Sequence, residues 1–307
     1  MIRVGVVGVG SMGRNHARVL AELPQAELIG VADSDHDRAK RVASEFSTRA
    51  FSSSSELIAQ SPDAVILAVP TALHEEIALE IIEGGCHVLV EKPIAVTVES
   101  AKRIIASANQ EKRVLMVGHI ERFNPVVAVM KKKVRADNLL LLEFTRVGPF
   151  PPRIKDVGVL VDLAVHDIDL ALYLTGSTVK SVHALASAAS GPMEDSAVLL
   201  LSLDSGTIVR ITTNWLTPFK IRKISCATTE GYVEADLLQR RVASYVQRDA
   251  GVYEVEEFAV PFQEPLKSEI LEFLAAIEEG RSPAVTGADG LSALDIAIKA
   301  QRKREPS

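Results

Sequence analysis

Val4-Gly5-Val6-Val7-Gly8-Val9-Gly10-Ser11-Met12-Gly13 is an apolar run that breaks into three glycines and passes into the helical pattern of Arg14 to Ala21. The spacing predicts a strand, a tight turn and a helix. Gly8 permits the turn, Gly10 lets backbone approach a bound pyrophosphate with no Cβ in the way, and Gly13 lets the helix pack closely on the strand. Free N–H groups at the helix start, Ser11 and Met12 among them, then face the phosphates with the helix dipole behind them. Glycines at this spacing also fit an ordinary strand-to-helix turn, so the flanking sequence has to decide. A second apolar strand, Glu27-Leu28-Ile29-Gly30-Val31-Ala32, follows the helix and ends in Asp33, twenty residues past Gly13. That is where an acid meets the adenine ribose hydroxyls, which turns the reading toward a dinucleotide site. Asp33 favours NAD over NADP because its carboxylate repels a 2′-phosphate, and nearby Arg38 softens the repulsion. Ser34 joins them in the candidate cofactor set.

Strand and helix keep alternating outward from there. Helical character spans 36–46 and 55–59, and Asp63-Ala64-Val65-Ile66-Leu67-Ala68-Val69 is a nearly continuous apolar strand of the kind buried on both faces of a parallel sheet, closed by Pro70. A helix over 73–83 ends at Gly84-Gly85, a strand covers 87–90, a threonine-capped helix 97–109 and another strand 113–117. The expected result is a six-stranded, doubly wound α/β Rossmann domain over 1–120. Beyond Gly118 the pattern changes. A helix over 125–134, a strand over 138–147 and a long apolar helix over 159–174 lead into strand after strand from Val179 to Val260. Runs of strands beside helices predict an α+β second domain, 121–307, built on an open, mostly antiparallel sheet. The closing helices, within 266–302, are candidates to pack back onto the first domain.

The 307 residues suit two domains. At 47% hydrophobic and 24% charged, the chain has ample core for a soluble globular protein. A formal charge of −6 offers no footprint for nucleic acid, and Lys131-Lys132-Lys133 reads as a solvated helix face. Cys86 and Cys226 are far apart and in no CxxC spacing, so neither a disulfide framework nor a thiolate metal site is expected, and a reducing cytoplasm fits. The first residues enter a strand without a basic leader, and no apolar run is long enough to span a bilayer, so neither export nor membrane insertion is expected. Along Ala197-Val198-Leu199-Leu200-Leu201-Ser202-Leu203 both alternating faces are largely apolar. One face covers the domain's helices and the other calls for a subunit partner, predicting a homodimer or homotetramer through this sheet.

Chemistry-bearing side chains stand at two places. Glu91-Lys92-Pro93 follows the fifth strand, so it emerges at the carboxyl end of the sheet, where open α/β folds bind ligands. A lysine at a strand end is also an ordinary surface charge. Asp162 and His166, four residues apart in the apolar helix with Asp169 three further on, share a face and need partners if buried. A core histidine bonded to an aspartate is the alternative.

Together these residues resemble the glucose–fructose oxidoreductase, inositol dehydrogenase and rhizopine catabolism family of nicotinamide-dependent oxidoreductases. The resemblance spans the chain: Gly8 to Gly13 with His16, Pro70 with His74, Glu91-Lys92-Pro93, and Asp162-Leu163-Ala164-Val165-His166-Asp167-Ile168-Asp169 fall in the family's order. It implies that Lys92, Asp162 and His166 meet at the nicotinamide, that the Lys92–Pro93 bond is cis, and that Val69, Pro70, Thr71, His74, Glu91 and Lys92 adjoin the cofactor. His166 would then be the base taking the hydroxyl proton, Lys92 the donor to developing alkoxide charge, and Asp162 the group orienting substrate or imidazole. His16 and His119 read as packing or local hydrogen bonding, His119 at the mouth of the cleft.

Val117-Gly118-His119-Ile120-Glu121-Arg122-Phe123-Asn124-Pro125 and Asn214-Trp215-Leu216-Thr217-Pro218-Phe219-Lys220-Ile221-Arg222 resemble the branch containing UDP-N-acetylglucosamine 3-dehydrogenases. On that resemblance Arg122, Lys220 and Arg222 are candidate partners for a pyrophosphate, with His119 in the same substrate set. Each alone is equally well a surface cation. Two other readings remain: a dehydrogenase of a free polyol such as inositol, which needs no cationic diphosphate pocket, and a non-catalytic dinucleotide sensor, against which the intact Lys92, Asp162 and His166 count.

Overall fold

The computed structural model describes residues 1–134, 138–150, 157–189, 192–302 and 304–306. The chain divides into two compact units, Met1–Ile120 with Glu264–Leu291, and Glu121–Gln263 with Ser292–Ser307.

The first unit is built on six parallel strands: β1 (Ile2–Val7), β2 (Ala26–Ala32), β3 (Ala50–Phe51), β4 (Ala64–Leu67), β5 (His87–Glu91) and β6 (Leu115–Gly118). Their order is β3-β2-β1-β4-β5-β6, the doubly wound arrangement whose switch point lies between β1 and β4. Between them run α1 (Ser11–Glu22), α2 (His36–Glu45), α3 (Ser54–Ile58), α4 (His74–Glu83) and α5 (Val98–Gln110). All four residues of β4 are buried, as a strand covered by helices on both faces requires. Thr97 caps α5 by accepting a hydrogen bond from Ser100 N at 3.1 Å. β3 carries no readable signal in the sequence, since two residues are too few to display a period. The later α9 (Pro265–Glu279) belongs to this unit and packs on α1, with Arg18 paired to Glu264. Val117 N donates to Val285 O at 3.1 Å.

The second unit carries a nine-stranded sheet: β7 (Leu139–Pro149), β8 (Val179–Ser187), β9 (Ser196–Leu203), β10 (Ile208–Asn214), β11 (Leu216–Thr228), β12 (Tyr232–Asp236), β13 (Arg241–Asp249), β14 (Val252–Phe258) and β15 (Arg304–Pro306). The order is β14-β13-β12-β11-β7-β10-β9-β8-β15. It is mostly antiparallel, but β10 runs parallel to β7 and β15 parallel to β8. One face is covered by α6 (Pro125–Lys133), α7 (Val159–Asp162), α8 (Ala164–Thr175) and the second half of α10 (Gly287–Arg302), around a core that includes Phe144, Leu160, Ile168, Leu199 and Ile211. The opposite face leaves Leu140, Leu185, Val198, Leu200 and Ile208 exposed. Leu185 pairs with Val198 in register, while Leu200 stands between His183 and Arg210.

The long helix expected over 159–174 is two helices. Its ladder is interrupted at Leu163, where His166 N reaches back only three residues to Leu163 O, at 3.2 Å. That tightened turn offsets Asp162 from the regular one-turn spacing to His166.

Candidate active site

In the first unit the turn after β1 is shaped by backbone. Gly8 has φ +83°, and a Cβ there would lie 2.7 Å from Ala68 O, so the turn is pressed against the end of β4. A Cβ on Gly13 would lie 1.7 Å from Gly8 O, so the helix can sit this close only without one. At Gly10 a Cβ would meet nothing within 4 Å, and Gly10 provides no side-chain cap for α1. The first N–H groups of α1, from Ser11 through Gly13, therefore open onto space at the positive end of the helix, a cradle suited to a pyrophosphate.

Asp33, at the end of β2, is buried, and its carboxylate is aimed by two backbone donors, Val9 N to Oδ2 and Asp35 N to Oδ1, both at 2.9 Å. Arg38 Nη1 lies 3.3 Å from both oxygens, so the cation expected nearby is already paired with the acid. Ser34 is exposed beside them. These groups fit an adenine ribose with free hydroxyls.

The turns after β4 and β5 are tied together by His74. Its Nε2 lies 2.9 Å from Val69 O and its Nδ1 2.9 Å from Pro93 O. Burial pushes the His74 pKa below its ordinary value, against the two carbonyls that favour the charged form. His74, expected beside the cofactor, has both ring nitrogens at hydrogen-bond distance from backbone carbonyls, between the segment that carries Val69, Pro70 and Thr71 and the segment that carries Lys92. The Lys92–Pro93 bond is cis, and Lys92 is half-buried. Glu91, the last residue of β5, accepts from His16 Nε2 at 2.8 Å and from Lys92 N at 3.2 Å. Burial pushes its carboxyl up, but the hydrogen bond and charge of His16, with the charge of Lys92, hold it below the ordinary range. Gly118, opposite Glu91 in register, makes room: a Cβ there would sit 3.1 Å from Glu91 Oε2.

In the second unit Asp162 is buried and His166 half-buried, at the junction of α7 and α8. Below them is a charge network that the sequence reading missed. Arg146 on β7 forks onto Asp167, with Nε to Oδ1 at 3.0 Å and Nη2 to Oδ1 at 2.8 Å, and its Nη1 reaches Glu121 Oε1 at 2.9 Å. Asn124 and Arg222 also donate to Glu121, at 3.3 and 3.1 Å. Burial pushes the Glu121 carboxyl up, yet the charges of Arg146 and Arg222 hold it below its ordinary value. The signal was present: Leu142, Phe144 and Arg146 alternate on the inward face of β7, and an inward arginine demands buried carboxylates.

The cations expected to hold a diphosphate separate here. The side chain of Arg122 is 7% exposed and forks onto Asp169, Nε to Oδ2 at 2.8 Å and Nη2 to Oδ1 at 2.6 Å, against the Tyr173 ring. Its fork is therefore turned to an internal carboxylate. Arg222 keeps about a third of its side chain exposed, and its charge senses Asp162 as well as Glu121 and Asp167. Lys220 is exposed in the register gap between Leu216 and Ile221. His119 is buried, with its backbone N donating to Val117 O at 2.8 Å.

Residues 2–119 match the model of the oxidoreductase family with an NAD-binding Rossmann fold, and 143–234 match the GFO/IDH/MocA C-terminal domain. The chain is 34% identical, over 97% of its length and 96% of the relative's, to UDP-N-acetylglucosamine 3-dehydrogenase of Acidithiobacillus ferrooxidans. The solved structure of that enzyme superposes with a TM-score of 0.93, at 31% identity over 99% of this chain and 97% of the other. The scyllo-inositol 2-dehydrogenase (NAD(+)) of Bacillus subtilis is 28% identical over 97% of this chain and 93% of its own. GenD2 from gentamicin A biosynthesis, solved in complex with NAD, has a TM-score of 0.86 at 26% identity, over 98% and 93% of the two chains.

Proposed function

The chain belongs to the GFO/IDH/MocA family of NAD-binding oxidoreductases, and from that membership we propose that it oxidises the C3 hydroxyl of a UDP-linked N-acetylhexosamine. The observation that carries the substrate is the end-to-end likeness to a UDP-N-acetylglucosamine 3-dehydrogenase, which covers both units rather than the shared Rossmann half alone. NAD supplies the hydride acceptor. The α1 N-terminus and Asp33 hold its pyrophosphate and ribose. His166 takes the hydroxyl proton, Lys92 donates a hydrogen bond to the same oxygen as charge develops on it, and Asp162 orients the reacting groups. Arg222 and Lys220, the expected cations that keep exposure, meet the diphosphate, while Arg122 is committed to Asp169. Remote binding energy at the diphosphate fixes the sugar for reaction.

The enzyme works in the cytoplasm as a homodimer or homotetramer, with the sheet face that exposes Leu140, Leu185, Val198, Leu200 and Ile208 covered by another subunit. The test follows NADH formation with UDP-N-acetylglucosamine, UDP-glucose, free N-acetylglucosamine and inositol, with a ketone trap to draw the equilibrium forward. Turnover of the UDP-N-acetylhexosamine is expected. Turnover of inositol with none of the UDP-sugars would overturn the substrate and leave the dehydrogenase chemistry standing.

A further inference from the structure

Beside Glu91 is a buried acid from the later part of the chain. Glu269 on α9 is 0% exposed, and neither of its carboxylate oxygens has a hydrogen-bond partner. Ligand-type atoms of His16, Glu91 and Glu269 all lie within 4.8 Å of one another. Two ionised carboxylates cannot share a closed space of that size without a proton or a cation between them.

The hydrogen bonds decide which acid is charged. Glu91 uses one oxygen to accept from His16 Nε2 and the other to accept from Lys92 N, the pattern of an ionised carboxylate. Glu269 accepts from nothing. A metal ion in the triad would take the Nε2 lone pair of His16 and leave its Nδ1–H to find an acceptor, as ligating histidines do. His16 Nδ1 has no partner among the described residues, and its Nε2 is at hydrogen-bond distance from Glu91.

We propose that Glu269 is a positioning residue, a carboxylic acid that keeps its proton and offers it to Glu91, directly or through one bound water, so that Glu91 alone carries negative charge next to Lys92. Burial and the neighbouring charge of Glu91 both push the Glu269 carboxyl well above its ordinary range. Held this way, Glu91 stays fixed between His16 and the backbone of Lys92, and the ammonium of Lys92 faces one compensating charge instead of two. The catalytic consequence rests on the role proposed above for Lys92; the location of the proton does not.

Two measurements test it. The infrared spectrum of the wild type at neutral pH is expected to contain the carbonyl stretch of a protonated carboxylic acid that Glu269→Gln, which preserves volume, lacks. Elemental analysis of the same protein is expected to find no stoichiometric divalent metal. Absence of a Glu269-dependent band, or a metal that Glu269→Gln loses, would overturn the proposal. For turnover, Glu269→Gln is expected within about threefold of wild-type kcat and Glu269→Ala about tenfold below it, with KM for the sugar little changed, because a displaced Lys92 costs orientation rather than binding. Equal kcat in both variants would overturn the positioning role. A fully active Lys92→Ala with the infrared band intact would instead point to failure of the Lys92 assignment, leaving the proton where it is proposed.

Discussion

The candidate pyrophosphate cradle of the first unit and the Glu121–Arg146–Asp167 network of the second handle charge by opposite means. The cradle is made of backbone. Its parts, Gly8 to Gly13, lie within six consecutive residues, and what matters is where a Cβ is absent. The network is made of side chains from a short turn, a strand and a helix, with Glu121 and Arg222 separated by 101 residues and Arg146 and Asp167 by 21. At Gly8 and Gly13 the backbone site has no room for an added atom, whereas a side-chain network tolerates no lost partner. The two should therefore fail to different substitutions.

The largest effect is expected where an added side chain meets backbone. Gly13→Val forces atoms into the space of Gly8 O, beyond the roughly 1–3 kcal/mol that ordinary overpacking costs, so little folded protein should be recovered. Gly10→Ala, where a Cβ meets open space, should fold normally and lose NAD affinity alone. Circular dichroism and NAD titration of the pair read this out; equal behaviour of the two would break the account of the cradle.

In the second unit the matching experiment removes a partner. Arg146→Met leaves Glu121 and Asp167 buried without their main counter-charge, a loss of about 3–5 kcal/mol in denaturant unfolding. Glu121 also sets a pH sign. Because its folded pKa is held below the ordinary glutamate value, its contribution is complete above that value and is lost as pH falls through the depressed one. Acid should accordingly remove the stability that Glu121 adds, read as the difference between wild type and Glu121→Gln, because burial raises Asp167 in the same network and gives it the opposite sign; a difference that grows on acidification would contradict the pairing.

This contrast also explains what could be read from the chain beforehand. The glycine turn, the placing of Asp33 and the change from alternating to clustered strands are local patterns, and local patterns survive in sequence, whereas the cis bond at Lys92–Pro93 was implied only by the family resemblance. β3 did not, because Ala50 and Phe51 are too short a run, and the break at Leu163 did not, because an apolar helix reads the same whether its ladder is continuous or tightened. Arg122 became a candidate for a diphosphate through the branch resemblance and its charge; its partner Asp169, 47 residues away, belongs to the fold rather than to any spacing rule. Arg146 is legible in principle as an inward strand position, but no spacing in the sequence marks Glu121 and Asp167 as the carboxylates it meets.

The next effect concerns the two residues proposed for catalysis, Lys92 and His166. Lys92→Ala and His166→Ala should each lower kcat by roughly 10²-fold or more, the usual scale for losing an oxyanion donor or a general base, while NAD binding persists. Near-normal turnover in either variant, measured with the physiological sugar, would remove that residue from the mechanism.

The smallest expected effect tests the one place where the two designs overlap. Asp33 is a side chain, but it is aimed by backbone N–H groups of Val9 and Asp35, so its direction is set by the cradle itself. A carboxylate so placed accepts from ribose hydroxyls and repels a 2′-phosphate, and Arg38, paired to it at 3.3 Å, has its charge partly cancelled. Removing the acid leaves that cation paired only to the exposed Asp35. Asp33→Ser should therefore weaken NAD and improve NADP together, moving the ratio of their kcat/KM values by about tenfold, which corresponds to ~1.4 kcal/mol. Adding Arg38→Ala to Asp33→Ser should withdraw the gain for NADP without restoring NAD, because the cation and not the missing acid attracts the extra phosphate. Steady-state kinetics with both cofactors separate the terms. If Asp33→Ser left the ratio unchanged, cofactor choice would belong to the backbone alone, and the overlap between the two designs would disappear.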